Sequence, residues 1–146
     1  MNEQKDSYLV LMADGSIEDH NMVKRAFRDC EINHVFNSVY NGKQLLDHFL
    51  LKGAYSREDD VQPDLVIMDI KLDLVDGFEV LKFLNENREI YTMPVYVLTA
   101  HRTEEVARLA EQLGVKHVYQ KPETYIEYAR IVQEMCSRNL PPNRQV

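Results

Sequence analysis

Residues 65–77, LVIMDIKLDLVDG, decide the reading of this chain. Four apolar residues, Leu65–Met68, run directly into Asp69, a length that suits a buried strand rather than a helix. After a short loop, Asp76-Gly77 opens an amphipathic helix, with Phe78, Val80, Leu81 and Leu84 as its apolar contacts and Glu79 completing a capping-box pattern on Asp76. A carboxylate at the carboxyl end of a buried strand stands where open α/β sheets place their ligands and chemistry. Asp69 is on that ground a candidate nucleophile or metal ligand.

The same alternation runs outward to both ends. Tyr8–Met12 reads as a first buried strand, and Ser16 with Asp19 caps a helix whose inner face is Met22, Val23, Ala26, Phe27 and Cys30. Val35–Val39 is a second strand. Asn41 and Gln44 cap the next helix, with Leu45, Leu46, Phe49 and Leu50 inward. Residues 52–63, KGAYSREDDVQP, read as a long surface loop. Pro94–Leu98 is a fourth strand, and Thr103–Leu113 a helix with Val106, Leu109, Ala110 and Leu113 inward and Gly114 as its C-cap. Val115–Tyr119 is a fifth strand. Tyr125–Arg138 is the last helix, striped by Tyr128, Ile131, Val132 and Met135, and Pro141-Pro142 ends regular structure. Five strands alternating with five helices imply an α/β fold, a doubly wound parallel sheet with right-handed crossovers and helices on both faces.

Composition bounds the function. The 146 residues, 45% of them hydrophobic, suit one domain over 7–140, with short flexible tails at 1–6 and 141–146. A net charge of −7 excludes global attraction to nucleic acid. No signal peptide is read, and no run approaches the roughly 20 apolar residues that span a membrane, so a cytoplasmic protein is expected. Cys30 and Cys136 form no CxxC pair and read as ordinary core thiols. The histidines His20, His34, His48, His101 and His117 show no metal-ligand spacing.

The strand ends carry the chemistry. The first contributes Asp14, the third Asp69, the fourth Thr99 and the fifth Lys121, followed by Pro122. Two carboxylates, a hydroxyl and an ammonium on one rim suit taking and holding a phosphoryl group. A carboxylate attacks phosphorus, a Mg²⁺ held by carboxylates and waters neutralises the phosphoryl oxygens, and Thr and Lys bind the remaining oxygens.

The run LVIMD ending at Asp69, the Asp76-Gly77 pair, PVYVLTA with its Thr99-Ala100, and Lys121-Pro122 together closely resemble the receiver domain of two-component response regulators, over about residues 8–138. The resemblance implies a flavodoxin-like sheet of order 2-1-3-4-5; the handedness and layers above are read from the chain itself, whereas this order comes with the family. It implies Asp69 as phosphoacceptor, Thr99 and Lys121 on the phosphoryl oxygens, and a Mg²⁺ site made by Asp14, Asp69 and the backbone carbonyl of Lys71. It also implies a cis Lys121-Pro122 bond.

The chain departs from the pattern in several places. Receivers carry two adjacent acids after the first strand; read as Ala13-Asp14, the pair lacks its first acid, so weak Mg²⁺ binding is expected. Glu18 and the side chain of Lys71 are candidates to compensate. Asp73 replaces a proline and should loosen its loop. Val118 stands where a switching Tyr or Phe is usual, and strand alternation sends Tyr119 to the other face. His101, just beyond Thr99, is a candidate to overhang the site.

By resemblance, the protein is a signalling receiver rather than a conventional enzyme, and its only chemistry is phosphoryl transfer to Asp69 and hydrolysis there. A histidine kinase or phosphotransfer protein would be the donor. Output would go to another protein through the fourth helix, fifth strand and fifth helix, without direct nucleic-acid contact, and a homodimer is compatible with such a receiver. The alternative is a degenerate receiver acting as a phosphorylation-independent binding module, supported by Ala13. A flavodoxin-like cofactor binder is disfavoured, because ADGSIED is too acidic to cradle a phosphate. A hydrolase would need a second catalytic acid near Asp69, where Lys71 stands.

Overall fold

The computed structural model describes residues 5–51 and 62–143. Nearly all of the expected 52–63 loop lies outside them. In chain order the elements are β1 (Tyr8–Ala13), α1 (Ile17–Asp29), β2 (His34–Val39), α2 (Gly42–Leu50), β3 (Leu65–Met68), α3 (Gly77–Glu86), β4 (Val95–Thr99), α4 (Glu104–Gln112), β5 (His117–Gln120) and α5 (Tyr125–Asn139). The strands pair in parallel in the order β2-β1-β3-β4-β5.

Strand alternation splits the core into two layers. Leu11, Ala13, Val66, Met68, Val97 and Val118 pack on one side with Leu45 and Phe49 of α2, Leu81 of α3 and Ala110 of α4. Val10, Met12, Leu65, Ile67 and Leu98 pack on the other with Val23 and Phe27 of α1 and Ile131, Val132 and Met135 of α5. The central strands are buried on both faces, which is why β3 and β4 read as unbroken apolar runs.

The helix faces differ in detail from the expected stripes. In α2 the i, i+3, i+4 positions Leu45, His48 and Phe49 are buried, while Leu50 falls outside that arc and is exposed. In α1 His20 joins Val23, Ala26 and Phe27 in the core, and Met22 and Cys30 lie half-buried on its flanks. In α4 the buried pair is Ala107 and Ala110, with Leu109 on the flank. The N-caps Ser16, Asn41 and Asp76 hold. The reciprocal halves of these capping boxes do not form as expected: Gln44 Oε1 accepts from Tyr40 N–H, and Asp19 turns to the sheet rim. Gly114 ends α4 with φ +94°, a conformation side-chain-bearing residues rarely adopt. Within the segment read as a tail, the Pro141 carbonyl accepts from the Tyr8 hydroxyl, and the Asn143 amide bonds Asn33 and Lys5.

Candidate functional site

The rim at the carboxyl ends of β1, β3, β4 and β5 gathers Asp14, Asp69, Thr99 and Lys121. Asp14 is the first residue past β1; it is buried, and its Oδ1 accepts from Ser16 N–H at 2.9 Å. Asp69 follows β3; its N–H donates to Ala13 O at 3.0 Å, and its Oδ1 accepts from Lys71 N–H at 3.3 Å. Gly77 supports this turn from below. A Cβ there would lie 2.5 Å from Ile70 O and 2.8 Å from Asp69 O, so only glycine lets α3 start against the backbone that follows β3. Thr99 is buried at the end of β4, where its Oγ1 faces His101 N–H at 3.4 Å and its carbonyl accepts from Lys121 N–H at 2.7 Å.

Lys121 draws the site together. Its Nζ lies 2.8 Å from Asp14 Oδ2, 2.7 Å from Asp19 Oδ2 and 3.2 Å from Asp69 Oδ2. Of these contacts, that with Asp19 is an aligned hydrogen bond; Asp14 Oδ2 is held by charge. Burial raises the Asp14 carboxyl above its ordinary range, against the opposing pull of Lys121 and Ser16. Burial acts upward on Asp19 too, but Lys121, Tyr128 and Ser16 outweigh it and hold the carboxyl low. Lys121 itself is raised, because Asp14 and Asp19 overcome the effect of burial, so it stays an ammonium at neutral pH.

The remaining residues singled out in the sequence take these places, with one correction, at the Lys121-Pro122 bond. Ala13, where the acidic pair lacks its first acid, is the last residue of β1, and its methyl is buried in the core. Glu18 is exposed, and its neighbour Asp19 is the acid that reaches the site, because the Ser16 cap sets the first turn of α1. The Lys121-Pro122 bond is trans, as is every described peptide bond; trans is the intrinsically preferred isomer even before proline. At Asp73, in place of the usual proline, the backbone carbonyl accepts from Gly42 N–H at 3.0 Å and from Val75 N–H at 2.8 Å. His101 and the Lys71 side chain are exposed.

Val118 is buried on the α2–α4 side and Tyr119 packs on the other, beside Tyr96, as alternation requires. Residues beyond the expected set also shape the rim. His20, buried under it, meets Asp14 O through Nε2 at 2.9 Å. Tyr128 donates to Asp19 Oδ1 at 3.1 Å. Gln120 binds Arg102 N–H and Ala100 O, tying the β4–α4 loop to β5. Sequence signals for them are faint: Asp19 reads only as a cap partner and Tyr128 only as part of a core stripe.

Residues 10–133 match the response regulator receiver domain family. Among curated relatives, the probable methanogenesis regulatory protein FilR2 of Methanothrix harundinacea is 27% identical, the match covering 97% of this chain and 90% of that protein. The polar-differentiation response regulator DivK of Brucella anthropi is 31% identical over 73% of this chain and 80% of its own. Among solved structures, the Mn²⁺-bound form of response regulator Rcp1 superimposes with a TM-score of 0.79 at 25% identity, covering 89% of this chain and 92% of that one. The chain belongs to the response regulator receiver domain family.

Proposed function

We propose that, as a member of this family, the protein is a stand-alone receiver that takes a phosphoryl group on Asp69 from a histidine kinase or phosphotransfer protein and signals by protein–protein contact. The observation that carries the reading is the convergence of Asp14 and Asp69 on the Lys121 ammonium, at 2.8 and 3.2 Å, on the rim where β3 ends. A carboxylate oxygen of Asp69 forms the new bond to phosphorus as the bond to the donor breaks. The Lys121 ammonium and the Thr99 hydroxyl are the groups that bind phosphoryl oxygens.

The donor set fits Mg²⁺, which takes one or two carboxylates and keeps several waters. Asp14 and Asp69 would supply hard oxygen ligands, and the Lys71 carbonyl would be the third protein ligand. Among the described residues no three His, Cys, Asp or Glu side chains form a fuller cage. With the first acid of the pair missing at Ala13, affinity is low. When bound, Mg²⁺ neutralises the phosphoryl oxygens. Output goes through α4, β5 and α5 to a protein partner; the net charge of −7 disfavours DNA. Among the described residues no helix is long and apolar enough to cross a membrane.

A second reading, a phosphorylation-independent binding module, is favoured by Ala13 in place of the first acid of the pair. Acetyl phosphate separates the two. Across a Mg²⁺ series, the mass gain of one phosphoryl group should appear in the wild type and vanish in Asp69→Asn. If no gain appears at any Mg²⁺ concentration, the second reading stands in its place.

A further inference from the structure

Asp19 joins two parts of the molecule that the phosphoacceptor reading leaves separate. One oxygen accepts the aligned hydrogen bond of Lys121, at 2.7 Å, and the other accepts from the Tyr128 hydroxyl, at 3.1 Å. Tyr128 lies on α5 and is buried, and α5 packs along α1. A single carboxylate therefore bridges the lysine that serves the phosphoryl site and a buried hydroxyl of α5. At Val118, where an aromatic switch would sit, the chain has none.

Lys121 has three N–H donors and three carboxylates around it. A phosphoryl group on Asp69 brings three strong acceptor oxygens and additional negative charge, more than the one donor already near Asp69 satisfies, so the ammonium is drawn away from one of its other two carboxylates. Leaving Asp14 would strand a carboxylate whose side chain is 3% exposed, a costly state. Asp19 is 22% exposed and can rehydrate. Once Lys121 leaves, Asp19 turns toward water and the bond to Tyr128 is lost. A buried hydroxyl without a partner is unfavourable, which drives α5 to readjust.

We propose that Asp19 is an autoinhibitory latch, occupying a donor of Lys121 at rest that the phosphoryl group would claim, and transmitting phosphorylation to α5 through Tyr128. The proposal rests on Asp69 being the phosphoacceptor. Its test uses the full chain with beryllofluoride and Mg²⁺ as the phosphoryl mimic, followed by NMR. In the wild type, α5 amides around Tyr128 shift on binding. In Asp19→Asn, binding tightens about fivefold, the scale of one partly exposed ion pair, and the α5 response disappears. Tyr128→Phe loses the α5 response without the tightening, and serves where Asp19→Asn does not fold. Without any mimic, proton exchange at the Lys121 ammonium is slow in the wild type and fast in Asp19→Asn. An α5 response that persists in both variants, or Lys121 exchange indifferent to Asp19, overturns the latch alone. A wild type that never binds beryllofluoride overturns the phosphoacceptor reading and the latch with it.

Discussion

A carboxylate placed at residue 15 should strengthen Mg²⁺ binding at no cost to the fold, whereas one placed at residue 13 should destabilise it. Gly15 is exposed at the rim, and a Cβ there meets only Tyr40 O, at an ordinary 3.8 Å. Gly15→Asp is therefore accommodated without backbone strain. Its carboxylate acts on a divalent ion through roughly 4 Å of near-aqueous surroundings, worth about 2 kcal/mol from Coulomb's law with a dielectric of about 80. That corresponds to Mg²⁺ affinity higher by about thirtyfold. Ala13→Asp instead buries a charge among Leu11, Val39 and Met68, at a cost of about 3–5 kcal/mol in stability. Chemical-shift titration with Mg²⁺ reads the affinities; the chain has no Trp, so tryptophan quenching cannot. Thermal unfolding of the two variants reads the stabilities. The reasoning is refuted if Ala13→Asp folds with native stability and gains Mg²⁺ affinity while Gly15→Asp does not.

Two further outcomes follow from the packing around the site. Gly77→Ala drives a methyl to 2.5 Å from Ile70 O, which should cost about 1–3 kcal/mol in urea unfolding; a change within about 0.5 kcal/mol would mean that the turn after Asp69 yields freely. His20 is held below its ordinary value of 6.5, first by burial, with its bond to Asp14 O opposing but not prevailing. Below that pH the unfolded chain binds a proton that the folded one refuses. The His20 contribution is thus intact above about pH 6.5 and declines as pH falls from there toward the lowered folded value, by up to about 1.4 kcal/mol per pH unit. His20→Phe should flatten this limb in denaturant unfolding at a series of pH values, and identical slopes in both proteins would exclude His20 as its source.

The sheet was legible in the sequence because its central strands are buried on both faces. Leu65–Met68 ends at Asp69 in the structure as in the sequence, and the remaining strands shift by one or two residues where pairing, rather than apolarity, sets the ends. Lys116 N–H, for example, bonds Val95 O ahead of β5, so Val115 closes the α4 turn instead of opening the strand. The caps were equally legible, since each uses only neighbours in sequence. Asp14, Asp69, Thr99 and Lys121 followed from strand ends and lie together on the rim, with Asp14 and Asp69 both held by Lys121.

What local pattern could not settle is where side chains point between elements. Ala13 and Asp14 are adjacent letters, but the last β1–β3 pair, Ala13 with Met68, turns one into the core and leaves the other on the rim. Glu18 and Asp19 are both first-turn acids of α1; only the position of that helix against α5 and the end of β5 brings Asp19 to Lys121 and Tyr128. The sequence by itself determined the βα alternation and the acid at the end of β3, because burial periodicity and capping are short-range. Tertiary structure alone decided which carboxylates share Lys121, because that depends on how α1, β3 and β5 meet, from positions 50 and more residues apart.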